Sequence, residues 1–125
     1  MGSLLVVFDD SMTRKFLGMK LAPMGYKVLE AEDGVEALLI WQALNSEIAL
    51  VLMDINIPRM DGITSARAIK TSDPAAKVIL ISWHYRYLLH EVPADAFLYK
   101  PFFIKEWVGV VQKVLGEDQP APFPG

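Results

Sequence analysis

The sequence predicts an α/β fold in which a five-stranded parallel sheet is covered by helices on both faces. Three observations carry that reading. Five short apolar runs alternate with segments of helical periodicity. Three of those runs stop abruptly on polar residues, at Asp9-Asp10, at Asp54 and at Lys100-Pro101. The supply of apolar residues is also high, 53% with a mean hydropathy of +0.30. Strands buried on both sides need such a supply.

The elements follow in order. Residues 4–8 form an apolar run that ends at Asp9-Asp10. Asp10 or Ser11 caps the helix that follows, whose apolar positions Met12, Phe16, Met19 and Met24 recur at roughly helical spacing, and Pro23-Met24-Gly25 closes it. Residues 26–30 read as a second strand. Asp33 then starts a helix with Glu36 as its capping-box partner and an apolar stripe of Val35, Leu38, Leu39 and Gln42-Ala43. Residues 48–53 are the third strand, bounded by Asp54. Asp61-Gly62 opens a smaller helix that runs to about Lys70, and Asp73-Pro74 breaks it. Residues 77–81 form a fourth strand ending at Ser82, and residues 96–99 a fifth ending at Lys100. Ile104, Trp107, Val108, Val111, Val114 and Leu115 make a closing amphipathic helix. The methionines read as core filler. The domain is expected over residues 1–115, with a Pro-rich tail or linker start at 116–125.

Composition removes several function classes. A net charge of −3 and a pI of about 5.3 leave no global basic footprint for direct nucleic-acid binding. The absence of Cys excludes disulfides, thiol catalysis and thiolate metal sites. No apolar run approaches a membrane span, and the amino terminus lacks the pattern of a signal peptide, so a cytoplasmic protein without membrane contact is expected. His84 and His90 lack the company of a zinc site. A glycine-rich lysine loop for nucleotide phosphates is missing.

Alternating strands and helices force parallel pairing, and open parallel sheets bind ligands beyond the carboxyl ends of their strands. Asp9, Asp10, Asp54, Ser82 and Lys100 all fall at that edge. Carboxylates this close disfavour one another's ionised form unless a cation neutralises them. Mg²⁺ suits the task, because it takes oxygen ligands, keeps several waters and needs only one or two carboxylates. A backbone carbonyl near Asn56 could complete the protein's share. Asp54 is then free to act as a nucleophile and form an aspartyl-phosphate, with Lys100 stabilising the transferring charge and Ser82 donating to a phosphoryl oxygen. Each residue also has a purely structural reading: strand-end cap for Asp54, helix cap for Asp9-Asp10, turn serine for Ser82; Phe97 in the fifth strand reads as a core aromatic unless it has a further role.

As a set, Asp9-Asp10, Asp54 with Pro58 and Asp61-Gly62, Ser82, and Lys100-Pro101-Phe102 resemble the receiver domain of bacterial two-component response regulators, over about residues 4–115. The resemblance implies a doubly wound, flavodoxin-like sheet of order 2-1-3-4-5. It implies that Asp54 is the phosphoacceptor, Asp10 the direct Mg²⁺ ligand, Asp9 the outer-shell acid and Asn56 the donor of a backbone carbonyl to the metal. Ser82 and Lys100 then sense the phosphoryl group, Phe97 is the aromatic switch, and Lys100-Pro101 is a cis peptide, a geometry suited to proline. The implied partner is a histidine kinase or phosphotransfer protein.

Two departures stand out. Trp83 follows Ser82 where the family usually carries a small residue, so an indole could screen the site or swing outward. The stretch from Ser82 to Lys100 is about one helical turn short for the family, and Pro93 discourages helix before it. The fourth helix is therefore expected to be shortened or irregular. Trp83, Tyr85, Tyr87, Phe103 and Trp107 could form an exposed apolar face there. A homodimer through the fourth helix, fifth strand and closing helix is a further expectation. Two other functions compete. One is an interaction module of the same fold with little phosphorylation. The other is a Mg²⁺-dependent aspartyl-nucleophile phosphatase, which wants an acid where this chain has Asn56.

Overall fold

In a computed structural model, residues 2–82, 94–100 and 104–116 are described. The order is β1 (Ser3–Val7), α1 (Ser11–Leu21), β2 (Lys27–Ala31), α2 (Gly34–Leu44), β3 (Ile48–Asp54), α3 (Gly62–Ser72), β4 (Val78–Ser82), β5 (Ala96–Tyr99) and α4 (Ile104–Val114), with 3₁₀ turns at Ala22–Met24 and Asn45–Glu47. The five strands pair in parallel in the order β2-β1-β3-β4-β5. The reversal of strand order lies between β1 and β3, so the crevice of the fold opens where Asp9-Asp10 and Asp54 end their strands.

The central strands are apolar on both sides because both sides are covered. Leu4, Val6, Leu50, Leu52, Ile79 and Ile81 pack with Leu17 and Leu21 of α1 and with Trp107, Val108 and Val111 of α4. The alternate residues Leu5, Val7, Val51, Met53, Val78 and Leu80 pack with Ala37 and Trp41 of α2 and with Ala66 and Ile69 of α3. Each fully buried Leu or Ile stabilises the fold by about 1.5–3 kcal/mol. Trp41 adds a hydrogen bond, its Nε1–H donating to Ser72 Oγ at 2.8 Å and tying α2 to the end of α3.

Aspartates start three of the helices. Asp10 Oδ1 accepts from Met12 N–H at 3.2 Å, Asp33 Oδ1 from Glu36 N–H at 2.8 Å and Asp61 Oδ1 from Thr64 N–H at 2.9 Å. These bonds satisfy donors that the first turn leaves open. The Glu36 carboxylate reaches back one residue farther than a standard capping box, accepting from Glu32 N–H at 3.1 Å.

Several sequence expectations need correction. Met12, Phe16 and Met19 are not the inner face of α1; they are 77%, 41% and 66% exposed, and Leu17 and Leu21 face the sheet instead. Met12 and Met19 are therefore not core filler. On α2, Leu39, Gln42 and Ala43 are exposed, and Ala37 and Trp41 form the buried stripe, with Val35 and Leu38 partly covered. Trp107 is buried in the core and cannot join an exposed aromatic face. The expectations for Trp83, Tyr85, Tyr87, Pro93 and the shortened fourth helix lie outside the described residues, as do those for His84, His90, the Lys100-Pro101 peptide, Phe102, Phe103 and most of the tail. Among the described residues no helix is long and apolar enough to cross a membrane.

Candidate functional site

The site is assembled by strand register. The run through β3 carries Asp54 to the strand's carboxyl end, where only 4% of the residue is exposed. Ile55 continues the strand's direction, its N–H donating to the Ile81 carbonyl at 3.0 Å. Pairing of Ser82 with Tyr99 brings the end of β5 alongside, and Lys100 N–H donates to the Ser82 carbonyl at 2.9 Å. The result is a direct ion pair, Lys100 Nζ to Asp54 Oδ2 at 2.6 Å. The other carboxylate oxygen, Oδ1, accepts from Asn56 N–H at 3.1 Å. A buried carboxylate is tolerated there because a cation and an amide both address it.

Gly62 makes this corner possible. Its N–H donates to the Ile55 carbonyl at 2.9 Å, and a Cβ on it would lie 2.4 Å from the Asp54 carbonyl oxygen. The helix therefore touches the strand end backbone to backbone. The motif Asp61-Gly62 thus has two separable uses, a helix cap and a close approach.

Asp9 and Asp10 are exposed at the end of β1, whose Val7 pairs with Met53 next to Asp54. Asp10 is engaged with its own helix: Thr13 Oγ1 donates to Oδ2 at 2.6 Å besides the Met12 amide. Thr13's hydroxyl, then Met12's N–H, hold the Asp10 carboxyl below its ordinary value. Arg14 braces the same turn, Nη1 donating to the Phe8 carbonyl at 2.6 Å and Nε pairing with Glu30 at 3.0 Å. Among the described residues, no group of three or more His, Cys, Asp or Glu side chains is placed to hold a metal ion by itself. A three-acid chelate is thus not displayed; Asp54 is neutralised by Lys100. The donor chemistry still fits Mg²⁺. Asp9 and Asp10 are solvent-facing carboxylates at the crevice, each oxygen has a second lone pair, and Mg²⁺ draws most of its ligands from water.

Ser82 is buried at the end of β4. Phe97 sits two residues from Tyr99 on the same face of β5, the rings stacked at 6.4 Å with 2° between planes. It is partly buried against the α2–α3 side of the core. A cleft of about 400 Å³ between β5 and α4 is lined by Asp95, Phe97, Val110, Lys113 and Val114. It lies toward the amino end of β5, away from Asp54.

Sequence reasoning missed one interaction beside the site. Arg59, in the loop after Asp54, forms a two-point ion pair with Asp33, Nε to Oδ2 at 2.9 Å and Nη2 to Oδ1 at 3.2 Å. The Arg59 guanidinium first, and the Glu36 amide second, hold the Asp33 carboxyl below its ordinary value. The partners are 26 residues apart, and no local periodicity marks them.

Comparisons with known proteins agree with this fold. The family model of the response regulator receiver domain matches residues 4–112. The chain is similar to the response regulator receiver protein CpdR of Brucella abortus, 34% identical over 120 residues, with 92% of this chain and 98% of CpdR covered. It is 36% identical over 117 residues to part of the sensor kinase CckA of the same organism, covering 90% of this chain but 12% of that kinase. It also spans only 56% of the chemotaxis protein CheY of Treponema pallidum. Among solved structures it resembles the response regulator TrrA of Thermotoga maritima in complex with Mg²⁺ and BeF. That likeness has a TM-score of 0.81 at 32% identity and covers 91% of this chain and 99% of that one.

Proposed function

We propose, since this chain belongs to the response regulator receiver domain family of two-component systems, that Asp54 accepts a phosphoryl group from a histidine kinase or phosphotransfer protein and that the modification switches protein interactions. The observation that carries this reading is the contact of Lys100 Nζ with Asp54 Oδ2 at 2.6 Å, deep at the end of β3. An acid so placed is held in one orientation, with Lys100 on one carboxylate oxygen and the Asn56 amide on the other, at the crevice of the sheet. In the transfer, an Asp54 carboxylate oxygen attacks phosphorus, the bond from phosphorus to the donor's atom breaks, and the donor leaves with that electron pair. Lys100 faces the oxygens that gain charge in transit. Asp9 and Asp10, with the Asn56 backbone carbonyl and Asp54 itself, are the residues that would hold Mg²⁺. That ion would supply Lewis-acid neutralisation of the incoming phosphoryl oxygens.

The surface beside the acids supports a protein donor. Met12, Phe16 and Met19 form an outward apolar stripe on α1, and Lys20 Nζ lies over the Phe16 ring at 5.6 Å. Structural relatives include a CheX–CheY complex from Borrelia burgdorferi with BeF₃ and Mg²⁺, 30% identical with a TM-score of 0.83 over 90% of this chain and 88% of that one. For the switch, a phosphoryl group adds about −1.5 to −2 charge beside Ser82. Ser82 moves toward it and Phe97 turns inward. A bias of about 2 kcal/mol brings a state populated at a few per cent toward parity.

The test is intact mass after a small-molecule phosphodonor with Mg²⁺, on wild type and Asp54→Asn. One added phosphoryl group on wild type and none on the variant is expected. Modification that persists in Asp54→Asn sinks the assignment of the site.

A further inference from the structure

Arg59 is the single non-glycine residue with positive φ among the described residues, at 66°. A left-handed arginine is uncommon, and an observed outlier of this kind asks what holds it. Here the holder is Asp33, whose side chain is only 5% exposed although that of Arg59 is 59% exposed. Asp33 cannot move to accommodate the arginine, because its Oδ1 also caps α2 through Glu36 N–H. The guanidinium therefore comes to a fixed carboxylate, and the backbone adapts.

The surrounding contacts show what this joins. Gly34, the first residue of α2, donates its N–H to the Pro58 carbonyl at a long 3.4 Å. Its Cα packs so closely on the next turn of the loop that a Cβ would lie 1.9 Å from the Met60 carbonyl oxygen. Ser65 Oγ, from α3, donates to the Gly34 carbonyl at 3.2 Å. The loop at 55–61 is thus laid against the amino end of α2, yet Asn56, Pro58, Arg59 and Asp61 are exposed. The two charge-assisted bonds of Arg59 tie that loop to Asp33 by side chain, beside the backbone bond from Gly34.

We propose that Arg59 is a positioning residue, latching the 55–61 loop to Asp33 so that Asn56 stays addressed to Asp54 and to the cation. The inference rests on the phosphoacceptor reading of Asp54 and deepens it. The latch acts through the loop and touches neither phosphoryl group nor metal. Groups bonded directly to a metal ligand typically carry about a 10–100-fold share of metal affinity, and a half-exposed pair acting one step removed, through the loop, belongs at no more than the lower limit.

Three variants separate latch from backbone. Arg59→Gly removes the guanidinium while easing the left-handed conformation. Asp33→Asn keeps a good helix cap but loses the charge. Arg59→Lys keeps the charge without the fork. Hydrogen exchange over residues 55–62 and titration calorimetry with Mg²⁺ alone are the readouts. Arg59→Gly and Asp33→Asn should speed loop exchange and weaken Mg²⁺ binding, each by about tenfold, with Arg59→Lys in between. Phosphorylation by a small donor at saturating Mg²⁺ should stay within about twofold of wild type, the loss appearing in the Mg²⁺ half-saturation. Unchanged Mg²⁺ affinity in Arg59→Gly overturns the proposal, whether or not loop exchange rises. A wild type that binds Mg²⁺ but is not modified at Asp54 fails the functional reading instead, and the affinities of the variants still judge the latch. A wild type that binds no Mg²⁺ overturns the latch as a metal-positioning device.

Discussion

Replacing Gly62 by alanine sets two known effects against each other. Gly62 opens α3, and alanine in a helix is worth about 1 kcal/mol over glycine. Yet its Cβ would lie 2.4 Å from the Asp54 carbonyl oxygen, 2.7 Å from Ile55 Cα and 3.1 Å from the Asp54 carbonyl carbon. All three are backbone atoms of a buried strand end and cannot rotate away. Ordinary contact begins near 3.4 Å, so helix and strand must part by about 1 Å. Overpacking costs about 1–3 kcal/mol, and rigid neighbours put this case at the upper end. After the helix gain, Gly62→Ala should lose about 2 kcal/mol, or roughly 6–10 °C in Tm for a domain of this size. Gly109 in α4 is the matched control. It is exposed, and a Cβ there meets nothing within 4 Å. Gly109→Ala should therefore gain about 0.5–1 kcal/mol. Urea and thermal unfolding of both variants measure the pair. Since Asp54 belongs to the displaced peptide, its phosphorylation should slow by up to about 100-fold, far beyond the unfolded fraction. A Gly62→Ala protein as stable as wild type, or a Gly109→Ala protein equally destabilised, would refute the close-approach argument.

Lys100→Met leaves the Asp54 carboxylate without its cation and should slow phosphorylation by about 100-fold, read as added mass over time; an unchanged rate would show that the ion pair has no part in transfer. Phe16→Ala should slow transfer from a protein donor while leaving a small-molecule donor unaffected, and equal slowing with both would remove α1 as the donor's surface. Asp10, Asp33 and Asp61 all sit below the ordinary value of 3.8 in the folded chain. For Asp61 burial pushes upward, but hydrogen bonds from Thr64's amide and hydroxyl and from the Ile63 and Asp61 amides together outweigh it. Each contribution is complete above the ordinary value and is lost as pH falls through the lowered folded one. Stability should therefore fall below about pH 4, less steeply in Asp33→Asn; identical acid limbs would refute the assignment. Trp41→Phe should lose about 1 kcal/mol in urea unfolding through the Ser72 bond, and a Ser72→Ala background should absorb most of that loss.

What the sequence shows well is where strands stop. The run to Asp54 is apolar on both faces and must be central, and a polar residue after such a run can lie only at its end. Aspartates ahead of helical stretches were equally readable, because capping is local chemistry. Which side of a helix faces the sheet was not. On α1 the Met12–Phe16–Met19 spacing and the Leu17–Leu21 spacing are both helical, and only the entry angle fixed by Asp10 and the packing of the sheet choose between them. On α2 Leu39 is exposed while Ala37 and Trp41 are buried, and a helical repeat of apolar residues runs through either side. The Asp33–Arg59 pair left no trace in local pattern, because it joins two strand-to-helix turns that meet only in three dimensions. Among the site residues, Asp54 and Lys100 were legible as the ends of two apolar runs at one sheet edge, though β4 lies between those strands. The capping engagement of Asp10 was legible only as an alternative.

The Asp54–Lys100 pair spans 46 residues, and the lysine follows the sheet's outermost strand, which pairs with β4 alone. During synthesis, a chain that has emerged through β4 already displays its acid, but with no lysine opposite it. The ion pair forms only when β5 has docked, after nearly the whole domain has left the ribosome. On the proposed reading of Asp54, its reactivity would report completed folding, and a chain cut before β5 would stay silent toward a phosphodonor.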